Sequence, residues 1–113
     1  MPNDCDSQQP AGLIDVLRDH RARLDERDDA AMDLAAFDTP EALAALVAVA
    51  TDPNEDAMLL DSCGESVAEI WVRRGKIDEE VLDGMARPAQ EVAVATLLGM
   101  APHLLPSGRR GHS

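Results

Sequence analysis

Apolar positions along this chain recur mostly at helical spacing. Leu13, Val16, Leu17, His20 and Leu24 fall at i, i+3, i+4, i+7 and i+11, the period of one helix face. Asp15, Arg18, Asp19 and Arg23 take the opposite side, so an amphipathic helix is predicted over residues 11–27. Asp28-Asp29 can cap a second short helix carrying Met32, Leu34, Ala35 and Phe37, since a carboxylate before a helix accepts from its free N–H groups. The spacing leaves open whether these are one helix or two. Thr39-Pro40-Glu41 is a start signal: threonine caps, and proline suits the first helical position. The helix that follows carries Leu43, Leu46, Val47 and Ala50 and ends at Thr51-Asp52-Pro53. A long helix is predicted over residues 54–74, burying Leu60, Cys63, Val67, Ile70 and Trp71, with Arg73, Arg74 and Gly75 closing it. Cations suit the last turn and glycine suits the left-handed cap. Asp78 should cap a short helix with Glu79 and Glu80 in its first turn and Val81, Leu82 and Met85 inward. Pro88 starts the last helix, whose apolar side reads as Val92, Ala95, Leu98 and Ala101 before Pro102 stops it. The expectation is an all-α chain with no sheet. It divides into a leader at 1–10, a helical domain at 11–105 and a tail at 106–113.

A shift of 35 residues aligns Val47 with Leu82, Pro53 with Pro88, Asp56 with Glu91, Ala57 with Val92 and Gly64 with Gly99. A shift of 48, pairing Pro40 with Pro88, is the rival. Each unit reads as a helical hairpin whose apolar face needs a stacked neighbour. Over residues 40–101 the chain resembles HEAT-type helical repeats. The resemblance lies in Asp52-Pro53-Asn54-Glu55-Asp56 leading to Ala68-Glu69-Ile70, and in Arg87-Pro88-Ala89-Gln90-Glu91-Val92. It implies a protein-binding scaffold without catalytic residues. The alternative reading is an irregular helical bundle.

Composition narrows the partners. With 22 acidic and 10 basic residues the net charge is −12. That charge opposes nucleic-acid phosphates and anionic membrane surfaces and favours a basic protein. The core must be aliphatic, because Phe37 and Trp71 are the only large aromatic side chains. Cys5 and Cys63 form no disulfide framework, which suits free thiols in a reducing, cytoplasmic setting. The first residues show no signal-peptide pattern.

Candidate chemistry is sparse. His20, His103 and His112 are far apart, no cysteine pair has ligand spacing, and no calcium loop is present, so neither metal nor cofactor is expected. His20 continues an apolar stripe and is expected partly buried. Cys63, mid-helix, is expected to be inert. The strongest feature is a span without lysine or arginine from Asp28 to Val72, through eleven acidic residues. Within it Asp61, Glu65 and Glu69 stand at i, i+4 and i+8, and Glu69 has Arg73 at i+4 as a relieving partner. Like charges at this spacing cost about 0.2–0.5 kcal/mol per pair. This row, with Glu55 and Asp56, is the candidate partner-binding surface. A small enzyme or metal-dependent protein using clustered carboxylates, and a subunit of a larger helical assembly, are the alternatives.

Overall fold

The computed structural model describes residues 10–106. Among these residues the chain is all-helical, with six α-helices and no strand. The helices are α1 (Pro10–Arg18), α2 (Leu24–Leu34), α3 (Pro40–Ala50), α4 (Ala57–Arg74), α5 (Glu79–Gly84) and α6 (Arg87–Met100), closed by a 3₁₀ turn at Pro102–Leu104. The leader up to residue 9 and the tail from residue 107, with Cys5 and His112, lie outside the described residues. Pro10, counted with the leader from sequence, is the first residue of α1.

Local signals set most helix ends. The Thr39 side chain accepts from Ala42 N, and Pro40 follows at the first helical position. Asp78 accepts from Val81 N. Gly75 adopts φ 77° and donates to Val72 O, while Lys76 N reaches back to Trp71 O. Only a residue without a Cβ takes that left-handed conformation cheaply.

Three expectations are corrected. The helix predicted over 11–27 breaks at residues 19–23, and Leu24 opens α2 instead of closing α1. Asp28-Asp29 therefore lies inside α2, not at its cap; Arg23 stands at the cap, and its side chain accepts from none of the free N–H groups of α2. The break is held by Asp19, whose side chain accepts from Arg21 N, a local competitor that ends helices. The long helix begins at Ala57 rather than residue 54, because Asp56 is its cap and accepts from Met58 N at 2.8 Å.

The helices form three consecutive pairs joined by short connections: α1–α2, α3–α4 and α5–α6. The second helices of the first two pairs lie side by side. Ser62 donates to Asp28, Ser66 Oγ donates to Ala31 O at 2.9 Å, and Arg73 Nη1 donates to Ala35 O at 2.7 Å. Partners rise together along both helices, so α2 and α4 run parallel. The chain separations are 34, 35 and 38 residues. On its other flank α4 packs against α6, and beneath it lies α3.

The core sits around α4. Leu60, Cys63, Val67, Ile70 and Trp71 are all buried, as their spacing predicted, together with Leu59 and Ala68. Leu17, Leu34, Leu46, Leu82 and Leu97 complete it from the other five helices. Ala101, just past α6, is buried as expected, but the inward side of the helix itself differs from expectation. Ala89, Ala93 and Leu97 are buried, whereas Ala95 and Leu98 are exposed and Val92 is half-buried. Bulk misled the reading: the face against α4 is lined by small residues because the backbones come close. A Cβ built on Gly64 would lie 2.4 Å from Ala89 O, while at Gly99 it would meet nothing within 4 Å. The two glycines paired by the 35-residue shift thus have opposite surroundings.

That contrast is testable. Gly64→Ala must push α6 away or strain the backbone and should destabilise by roughly 1–3 kcal/mol. Gly99→Ala, in open space, should leave stability level or raise it by up to about 1 kcal/mol. Urea melts of both variants would check this; equal effects would show that the contact at Ala89 carries no weight.

Candidate functional site

The acidic row is built on α4. Ser62, Ser66 and Arg73 face α2 and Gly64 faces α6, so the remaining outward face carries Asp61, Glu65 and Glu69. Asp61 and Glu65 are exposed and Glu69 is half-buried. Asp56 is exposed at the head of the same helix, roughly 7.5 Å before Asp61 along the axis at 1.5 Å per residue. Among the described residues, none of these four carboxylates takes part in an ion pair. Arg73, the expected relief for Glu69, is turned away. Its guanidinium donates to the carbonyls of Ala35 and Phe37, where α2 ends. A cation there satisfies orphan carbonyls and suits the negative end of the helix dipole.

Glu55 does not join the row. It precedes α4, its side chain is 7% exposed, and both oxygens accept from Arg27, at 3.3 Å from Nη1 and 2.8 Å from Nη2. Arg27 is itself buried, and its Nε donates to Leu17 O at 2.8 Å. One side chain therefore ties the last turn of α1, the body of α2 and the loop before α4 together. A bidentate guanidinium–carboxylate pair is the geometry that tolerates burial. Glu55 is accordingly a structural carboxylate rather than a docking one. Sequence reading missed the pair because the partners are 28 residues apart. The available signal was that Arg27 is the last cation before the cation-free span.

Two further arginines of this region make single, more exposed ion pairs. Arg74 Nε donates to Asp38 Oδ1 at 2.7 Å, and Arg23 pairs with Asp25 at 2.9 Å. His20, expected in the apolar stripe, instead lies in the loop after α1 with 72% of its side chain exposed, 3.8 Å from Glu55. The helix break at residue 19 removes it from the stripe.

Chemical groups inside the fold are quiet. Cys63 is fully buried, and its thiol is pushed up to about 12, first by burial and then by the nearby charges of Glu55 and Asp28, with Arg27 opposing. Among the described residues no group of three His, Cys, Asp or Glu side chains could hold a metal ion. No helix among them is long and apolar enough to cross a membrane. No buried side-chain nitrogen or oxygen there lacks a hydrogen bond. Fold and surface together define an all-α protein of paired helices with an unneutralised acidic face. Comparison with protein-family models, with curated proteins and with solved structures returns no match.

Two outcomes follow from the buried groups. Arg27→Met strands a buried carboxylate and should cost about 3–5 kcal/mol, whereas Arg27→Met with Glu55→Leu should recover most of that. Denaturant midpoints of the single and double variants decide it; a single variant as stable as the parent would deny the pair its bracing role. For Cys63, the raised pKa stabilises the neutral thiol in the fold. The contribution is present below the ordinary value of 9.0 and lost as pH rises toward about 12. At about pH 8 iodoacetamide should therefore leave Cys63 unmodified in folded protein and label it in urea, as read by peptide mass.

Proposed function

We propose that this protein is a non-catalytic binding module of the adaptor, inhibitor or immunity type. Its helix pairs stack in the HEAT manner, and it docks a basic protein on the outward face of α4. The observation that carries the reading is the disposition of charge. Asp61, Glu65 and Glu69 stand in one row without a cation, although Arg73 is within one turn of Glu69. The arginines around the row brace the fold through Ala35, Phe37, Asp38 and Glu55. Repulsion within the row is thus left standing, which costs the isolated fold and benefits a cationic partner. The parallel packing of α2 on α4, with partners 34–38 residues apart, supports a repeat near 35. The start-to-start distance from α4 to α6 is shorter, 30 residues (87 − 57). The free buried thiol suits a reducing, cytoplasmic setting.

The test is charge reversal. Asp61→Lys with Glu65→Lys should keep or slightly raise stability. Against a purified basic partner first captured from extract, association should slow by roughly tenfold at low salt, and its salt dependence should shrink. A variant that associates as fast as the parent at low salt would reduce the row to a solvated face.

A further inference from the structure

A second surface lies on the flank of α2 that turns away from α4. Asp28, Ala31 and Ala35 point toward α4 through Ser62, Ser66 and Arg73. The opposite side of α2 borders a groove of about 350 Å³ shared with α1. The groove is lined by Leu13, Val16 and Ala30 together with Glu26, Asp29 and Asp33. Ala30 is buried and contributes only a methyl, so the open floor dips between the larger Leu13 and Val16, which remain half-buried. Glu26, Asp29 and Asp33 fall at i, i+3 and i+7, in a line along one side of α2. All three are exposed, and among the described residues none takes part in an ion pair. An apolar floor with a carboxylate on every turn of its rim is chemically asymmetric.

We infer that this groove between α1 and α2 seats an amphipathic helix of a partner protein, with aliphatic side chains on the floor and lysines or arginines along the Glu26–Asp29–Asp33 rim. It shares with the proposed function only the premise of a cationic protein partner and places the contact on a different surface. Charge complementarity selects the occupant. The rim repels phosphates, which disfavours nucleic acid and anionic membrane. The floor gives a purely polar cation nothing to bury against. The described residues offer no sheet edge for an extended peptide to join, so a helix in a groove is the mode the fold supports. Dimensions agree: α2 has 11 residues, hence roughly 16 Å at 1.5 Å per residue, three turns to run alongside. Lysine and arginine are suited to the rim, because their stems cover apolar surface while their heads reach outward.

The experiment uses the whole protein and a synthetic peptide about four turns long, with leucines on one helical face and lysines on the other. A second peptide of identical composition has the pattern scrambled. Two charge-matched variants are compared with the parent. One carries Glu26→Gln, Asp29→Asn and Asp33→Asn; the other carries Asp61→Asn, Glu65→Gln and Glu69→Gln. All substituted side chains are exposed or half-buried, and circular dichroism confirms that each variant folds. The expected result is that the rim variant weakens the patterned peptide by roughly tenfold while the α4 variant changes it by no more than about twofold. The scrambled peptide should bind weakly throughout, and in the parent protein the methyl signals of Leu13 and Val16 should shift on titration. Equal weakening by both variants would mean attraction by net charge alone and overturns the inference. Weakening by the α4 variant only overturns it too, while leaving the proposed function standing. A patterned peptide that does not bind at low salt, or that leaves the Leu13 and Val16 methyls unmoved, also overturns it.

Discussion

The close approach of α4 to its neighbours is the constraint on which the rest of the structure depends. This helix touches α2, α3 and α6, and nine of its residues are buried. Its contacts are graded by side-chain size. Toward α6 a glycine meets a backbone carbonyl, toward α2 two serines and an arginine make hydrogen bonds, and toward the centre Val67, Ile70 and Trp71 fill space. With so little aromatic bulk available, packing density comes from bringing backbones together rather than from large side chains. Small residues at Gly64, Ala89 and Ala93 serve that end, and their substitution is felt through the backbone.

Few cations are present, and several are used to join helices. Arg27 joins α1, α2 and the loop before α4, Arg73 closes the end of α2, and Arg74 holds Asp38. Guanidinium groups are suited to this, since one planar fork reaches several acceptors at fixed angles. The consequence is electrostatic. Carboxylates on outward faces of α2 and α4 stay uncompensated, and the acidic surface is partly a by-product of how the arginines brace the core. A surface of that sign is the one the proposed function relies on, since uncompensated carboxylates favour cationic partners over phosphate-bearing ones.

Much of the fold was legible because its signals are local. A threonine before a proline, an aspartate three residues before an amide it caps, and a glycine in the left-handed region each act within one turn. Thr39, Asp78 and Gly75 therefore read correctly from sequence. The apolar spacing of α4 read correctly as well, because a helix packed on three sides has a broad buried surface that tolerates small errors of phase. On α6 the buried stripe is alanine-rich, and bulkier residues nearby drew the reading to the wrong side. The break at residues 19–23 was hidden because Leu24 keeps the helical phase of α1 across it. His20 was misplaced for the same reason.

Of the candidate site, the row Asp61–Glu65–Glu69 was legible, since spacing on one helix fixes which side chains align. Glu55 was not, because only folding brings Arg27 across 28 residues to enclose it. Nor was the acidic rim of Glu26, Asp29 and Asp33 singled out, as its meaning depends on Leu13 and Val16 lying opposite. The sequence by itself determined the helical class, most helix ends and the excess of negative charge. These follow from nearest-turn hydrogen bonding and from composition. Tertiary structure alone decided which carboxylates are braces and which face outward, and which small residues carry the helix contacts. Those outcomes depend on distances between residues that share no local sequence relationship.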